Sequence, residues 1–181
     1  MAEGVVEGIQ IRKARRKDFD FILALSVETL RDELTPYERE RTSATKLVGI
    51  MSKNLRRLMA SSGMLTLVAE TADGERAGFI MVGRSASVFT DQEQAFVYDV
   101  AVAPPFRRRG IGRMLMERAE AHAREQKMGF ITLMVDCRNA PARSLYERLG
   151  YEDGRILMRK LLAAPPSPDE KSRPPQAPGT E

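Results

Sequence analysis

One stretch, Val97 to Gly112, narrows the folds open to this 181-residue chain more than any other. Val97, Tyr98, Val100 and Val102 make a β-rich apolar run interrupted once by Asp99, the pattern of a central strand covered on both faces. Pro104 and Pro105 end that strand. Arg107, Arg108 and Arg109 then precede Gly110-Ile111-Gly112, and helix-forming sequence runs on to about Lys127. A buried strand feeding a helix through a basic glycine turn predicts an α/β domain. It also predicts an anion site, because glycine lets the backbone come close to a ligand while the first amides of the helix point outward unpaired. The expected ligand carries a phosphate ester.

Three loop motifs compete for this stretch. A dinucleotide fingerprint needs a third small residue where Leu115 stands, and a tight turn where the seven residues Ala103 to Arg109 intervene; Asp136, at the end of the next strand, only partly mimics its ribose-binding acid. A P-loop needs Gly-Lys-Ser/Thr, and Gly112 is followed by Arg113-Met114. The remaining pattern is Arg/Gln-x-x-Gly-x-Gly/Ala, present as Arg107-Arg108-Arg109-Gly110-Ile111-Gly112 after a strand ending in Ala101-Val102. It resembles the pyrophosphate loop of the GNAT superfamily of acetyl-coenzyme A-dependent N-acetyltransferases. A second block, Asn139 to Tyr151, is similar to that superfamily's Asn-x-x-Ala-x-x-Leu-Tyr-x-x-x-Gly-Phe/Tyr helix, and it arrives one helix and one strand later, where the family has it. The resemblance extends over roughly residues 9 to 161.

The resemblance implies a mixed central sheet of about six strands flanked by about four helices and splayed at the cofactor site, over residues 1–162. It implies acetyl-CoA as co-substrate, held by the backbone from Arg108 to Arg113, with Gly110, Ile111 and Gly112 in the loop and arginine side chains from Arg107 onward adding charge. Ala101 and Val102 would offer strand-edge groups to the pantetheine arm. Asn139 would cap its helix and contact that arm; Ala142 and Tyr146, four apart, would line the thioester, with Tyr146 as general acid. The helix pair before the hairpin borders the family's acceptor site, so Glu33, Tyr37 and Glu38 are candidate acceptor contacts. Asp99 is the carboxylate nearest the loop on the central strand, and a candidate base or ammonium ligand.

The rest of the chain fits such a domain. Ile9 to Lys13 reads as a strand, Asp18 as the N-cap of a helix to about Leu30, and Arg31 to Arg41 as a polar break. Thr42 or Ser43 caps a second helix with Leu47, Ile50, Met51, Leu55 and Leu58 on one stripe. Met64 to Glu70 and Arg76 to Gly83 flank Asp73-Gly74, a hairpin signal, and Arg84 to Glu93 reads as a polar connection. Phe130 to Asp136 and Arg155 to Leu161 read as the last strands. Residues 163–181 hold six of the ten prolines and predict a disordered tail.

The net charge of +4 and pI near 9.4 suit a polyanionic ligand as well as nucleic acid. Only Phe106 interleaves with the Arg107 to Arg113 patch, so no nucleic-acid partner is expected. The single cysteine, Cys137, rules out an intrachain disulfide framework, and the single histidine, His122, has no companion at metal-ligand spacing; no metal is expected. With no leader or long apolar run, a cytoplasmic monomer or homodimer without membrane association is the expectation. The activity implied is transfer of an acetyl group to the primary amine of a small molecule or peptide, by direct attack. An acyl-CoA sensor of the same fold, or a nucleic-acid-binding module, is the alternative.

Overall fold

The computed structural model describes residues 6–87 and 92–160. Met1–Tyr151 and Glu152–Glu181 are separate compact units. The first holds strands β1 (Ile9–Lys13), β2 (Leu65–Thr71), β3 (Arg76–Ala86), β4 (Glu93–Val102) and β5 (Ile131–Leu133), with helices α1 (Phe19–Glu33), α2 (Pro36–Arg41), α3 (Ala44–Met59), α4 (Ile111–Glu125) and α5 (Ala140–Arg148). The strands lie in sheet order β1-β2-β3-β4-β5, antiparallel up to β4, with β5 parallel to β4. This is the mixed α/β sheet the resemblance implies.

Period-two alternation divides the sheet between two cores. Leu67, Ala69, Ile80, Val82, Ala95 and Val97 pack with Ile111, Leu115, Met116, Ala119 and Ala123 of α4. Val68, Phe79, Met81 and Ala101 pack with Ile22 and Leu25 of α1 and Leu55 of α3. In β4 the alternation changes phase. Met81 pairs with Asp99 but Val82 pairs with Val97, so Tyr98 is one residue too many, a β-bulge. Ala95 and Val97 therefore face α4, whereas Asp99 and Ala101 face α1. A regular strand would have turned all four the same way.

Beyond the bulge β4 also loses its outer neighbour. β5 pairs only with Ala95, Phe96 and Val97, so, among the described residues, 98–102 have no strand on that side. Ala103 donates its N–H to the Ala77 carbonyl at 2.9 Å, so pairs 101/79 and 99/81 are the hydrogen-bonded ones. Val100 and Val102 consequently turn their N–H and C=O groups to the open side. The backbone groups open on that side are therefore those of Val100 and Val102, whereas Ala101, expected with Val102 to offer strand-edge groups, gives its own to β3.

Several boundaries depart from the sequence reading. The polar break at 31–41 contains α2, started by Pro36 at its first turn and a capping box in which Thr35 and Glu38 exchange hydrogen bonds. The connection from Arg84 is shorter than expected: Arg84, Ser85 and Ala86 continue β3 against Ala95, Gln94 and Glu93, and Arg84 pairs with Glu93 at 2.7 Å. Only 131–133 of the 130–136 run forms β5. Asp18 does not cap α1 with its side chain. Its fully buried carboxylate instead accepts hydrogen bonds from Arg12 at 2.7 Å, Arg76 at 2.8 Å and the Arg15 amide at 2.7 Å, and Arg12 also reaches Glu70. Arg12, Asp18 and Arg76 thereby form a clamp around a buried carboxylate, tying β1 and β3 to the entry of α1.

In the second unit, 152–160 carries no helix or strand, and Ile156, Leu157 and Met158 are exposed. The strand expected from Arg155 is not formed there: three consecutive apolar residues between basic ones lack the alternation that would give a strand one buried face. Leu161 and the proline-rich tail expected at 163–181 lie outside the described residues.

Candidate active site

The loop from the short turn at Pro104–Phe106 to α4 is shaped by two left-handed residues. Arg108 has φ 62° and Gly110 has φ 86°, the latter as N-cap of α4, a conformation open to glycine at no side-chain cost. The first intrahelical bond is Met114 N–H to the Gly110 carbonyl, at 3.0 Å. Among the described residues, the six consecutive amides from Arg108 to Arg113 have no backbone or side-chain acceptor. An exposed row of N–H groups at a helix start is an anion cradle. Gly112 lies close against α5, since a Cβ there would meet Leu145 Cδ2 at 3.2 Å. A side chain at Gly112 would press on the very helix that carries Tyr146.

The arginines divide their work. Arg107 donates from Nε to the Val102 carbonyl at 2.9 Å and pairs with Glu28 of α1 at 3.2 Å, so its guanidinium bridges the β4 edge to α1. Arg113 pairs with Glu117 one turn along α4, at 2.8 Å, and Arg109 lies over the Phe106 ring at 5.5 Å.

Asp99, aimed at α1 by the bulge, accepts a hydrogen bond from Ser26 Oγ at 2.6 Å. Burial pushes its carboxyl above the ordinary aspartate range, the Ser26 hydroxyl opposes this, the charge of Glu33 adds to it, and the Val100 amide opposes it. Tyr146 on α5 is pushed up to about 12, first by burial and then by the charges of Glu33 and Asp99. Its ring packs on the α4-side core and lies 5.9 Å from the Tyr151 ring. Glu33, Asp99 and Tyr146, 113 positions apart at the extremes, thus share one electrostatic neighbourhood.

Asn139 caps α5, its Oδ1 accepting from the Ala142 amide at 3.2 Å, while its Nδ2 donates to Glu33 Oε1 at 3.3 Å. Arg138 donates to the Glu33 carbonyl and is held by Asp136, both at 2.6 Å. The end of α1 is thereby fastened to the start of α5. Ala142, half-buried, stands one turn before Tyr146. Tyr37 stacks under the Arg41 guanidinium at 3.9 Å and Glu38 serves the capping box of α2. Cys137 is exposed, and His122 faces Glu125 on the flank of α4 at 4.0 Å. Among the described residues no group of His, Cys, Asp and Glu is arranged to hold a metal. No described helix is long and apolar enough to cross a membrane.

The sequence did not point to Ser26, Glu28, Val100 or Arg138. Ser26 was detectable in principle, as a hydroxyl four residues after Ile22 on an otherwise apolar helix stripe.

Comparison with known proteins agrees with this geometry. The model of the acetyltransferase (GNAT) family matches residues 26–151. An uncharacterized N-acetyltransferase of Archaeoglobus fulgidus is 31% identical over 140 residues, covering 76% of this chain and 89% of that protein. The streptothricin acetyltransferase of Streptomyces lavendulae is 43% identical over 86 residues, which is 48% of this chain; the match spans less than half, 43%, of that protein's length. Among solved structures, a putative acetyl transferase from Pyrococcus furiosus superimposes with a TM-score of 0.74 at 23% identity, over 85% of this chain and 99% of that one, and so shares the fold. The cradle at the start of α4, the edge of β4 left open beyond Val97 and the match over residues 26–151 lead to one conclusion: this chain belongs to the acetyltransferase (GNAT) family.

Proposed function

We propose that the chain transfers the acetyl group of acetyl-CoA to a primary amine by direct attack. The observation that carries this is the continuity of unsatisfied backbone groups: six amides at 108–113 run into the open β4 edge at Val102 and Val100, which ends at Asp99 and faces Tyr146. A diphosphate joined to an extended amide-bearing arm and a thioester has polar groups in that same order. The amides from Arg108 to Arg113 hold the diphosphate, with charge from Arg108, Arg109 and Arg113. Arg107 serves the Val102 carbonyl and α1, and the Val100 amide serves the Asp99 carboxylate, so the edge groups left for the arm are the Val102 N–H and the Val100 carbonyl. Ala142, small and one turn before Tyr146, leaves room for the thioester. Asn139 holds α5 in place through its cap and its bond to Glu33.

A lysine-like amine is neutral only about 0.04% of the time at pH 7, which costs about 4.6 kcal/mol unless the site helps. Asp99, raised by burial, takes the amine's proton, directly or through water, as nitrogen bonds to the carbonyl carbon. Tyr146 donates to the sulfur as the carbon–sulfur bond breaks, so the products are an N-acetyl amide and the free thiol. Glu33 and Asp99 together favour a cationic acceptor. The likeness to streptothricin acetyltransferase supports placing amine antibiotics on the acceptor panel beside peptides with free N-termini and lysine side chains.

The test is release of coenzyme A from acetyl-CoA across that panel, with an acetyl-CoA titration of the melting temperature run alongside. Stabilisation without turnover on any amine supports the acyl-CoA sensor. Stabilisation by duplex DNA or RNA and not by acetyl-CoA overturns both.

A further inference from the structure

We propose that Ser26 is a positioning residue for Asp99, fixing the carboxylate's orientation and setting the pH at which it accepts the proton of the amine. The proposal rests on the role given to Asp99 above. Its starting point is a hydroxyl in the wrong place for packing. Ser26 is 2% exposed and stands one helical turn after Ile22, beside Leu25, on the stripe of α1 that packs on the sheet. Alanine is the better helix former and brings no polar atom to bury.

A buried helical serine ordinarily satisfies itself within its own helix by donating to the carbonyl four residues back. Three residues further along α1, Thr29 does so, to the Leu25 carbonyl at 3.0 Å. Ser26 instead donates across the interface to Asp99 Oδ2, a partner 73 residues away, at 2.6 Å. That length is at the short end for a hydroxyl donating to a carboxylate oxygen. The bond fixes one carboxylate oxygen and with it the side-chain rotamer, on a strand whose bulge has already chosen the face.

The groups whose charge reaches Asp99 are Glu33, from the end of α1, and Tyr146, from α5; its register partner on β3 is the apolar Met81. Glu33 is a like charge and Tyr146 is a neutral phenol. The Ser26 hydroxyl is thus the side chain that stabilises the carboxylate in its charged form. Without it, the combined burial and the field of Glu33 hold the proton on Asp99 to higher pH.

The experiment is the pH dependence of kcat/KM for a turned-over amine, in wild type, Ser26→Ala, Ser26→Thr and Asp99→Asn. With both the amine and Asp99 needing to be unprotonated, log kcat/KM rises with a slope of about two at low pH and about one above the Asp99 ionisation. Ser26→Ala is expected to move that break upward by about one pH unit, with acetyl-CoA affinity unchanged. Ser26→Thr, which keeps the hydroxyl, is expected to return it. A merely structural serine would lower turnover at all pH values and leave the break in place. If Asp99→Asn abolishes the break and Ser26→Ala leaves it at the wild-type pH, the positioning role is wrong and Asp99 remains the base. If Asp99→Asn keeps the break, Asp99 is not the base, and the role of Ser26 falls with it.

Discussion

Replacing Tyr146 by phenylalanine isolates one hydroxyl. The ring keeps its packing against the α4-side core and Tyr151, and the hydroxyl itself makes no hydrogen bond among the described residues, so the fold loses nothing by its removal. The chemistry loses a donor whose strength the structure bounds. Burial, Glu33 and Asp99 hold the phenol at about 12. A leaving thiol resembling free cysteine sits near 8.5, so complete transfer to a finished thiolate would run uphill by roughly 3.5 pK units, or about 5 kcal/mol. Tyr146 therefore acts by hydrogen bonding to charge as it gathers on sulfur, and its contribution belongs at the low end of the usual range for general acids, on the order of 10²-fold or about 2.7 kcal/mol. The phenol keeps its proton at every pH below about 12 and loses it only as pH rises through that value. Wild type and Tyr146→Phe should thus give parallel pH profiles from 6 to 10, separated by a constant factor. Single-turnover rates with a turned-over amine, together with acetyl-CoA affinity by calorimetry, make the measurement. Equal single-turnover rates would refute the donor role; a rate loss matched by an equal loss of acetyl-CoA affinity would show that the hydroxyl only helps binding.

Gly112→Glu sets a carboxylate at the amide cradle and presses on Leu145, and should abolish the rise in melting temperature that acetyl-CoA gives wild type; a preserved rise would move the diphosphate elsewhere. Asp18→Asn leaves Arg12 with Glu70 alone and the part-exposed Arg76 without its carboxylate, and should cost about 1.5–3 kcal/mol, roughly 3–12 °C in melting temperature. The Asp18 carboxyl lies well below the usual carboxylate range because Arg12, the Arg15 amide and Arg76 outweigh its burial. Its stabilisation is therefore complete above about pH 3.9, the value for an unfolded aspartate, and is lost only as pH falls through the lower folded value. Melts of wild type and variant should stay apart at pH 4, and convergence there would contradict the clamp. Hydrogen exchange at Val102 should slow on adding acetyl-CoA, whereas Ala101, already bonded to β3, should change little; equal protection of both would point to global tightening.

Much of this was legible in the chain itself. Pro104-Pro105, the arginine run and Gly110-Ile111-Gly112 are local signals, and their backbone consequences follow from sterics within a few residues. The Asp73-Gly74 turn is local in the same way, with Gly74 at φ 81°. Even α2 announced itself, since Thr35-Pro36 with Glu38 is a capping box with proline in the first turn, hidden only by the charged residues around it. The bulge at Tyr98 was not legible: an apolar run covered on both faces has no polar alternation to reveal a change of phase. The Arg12–Asp18–Arg76 clamp and the Ser26–Asp99 bond join residues 58 and 73 apart in sequence, and nothing local to either end specifies the partner. The end of the chain failed for the opposite reason, because three apolar residues in a row resemble a strand until a partner must be found for both of their faces.

The extra residue in β4 behaves like a reading frame within the sheet. Upstream of Tyr98 the odd-numbered positions belong to the α4 core; downstream they belong to the α1 side. The same sequence paired through Tyr98 as a regular strand would keep its composition, charge and apolar content while sending Ala101 and Asp99 to the α4 layer and bringing Val100 and Val102 to face α1. Ser26 would then meet an isopropyl group in place of a carboxylate. The chain would still have a sheet to fold into, and its acid would be on the far side of it. The bulge absorbs that extra residue, so a strand without Tyr98 would run regularly with Val97 still toward α4 and Asp99 still toward α1.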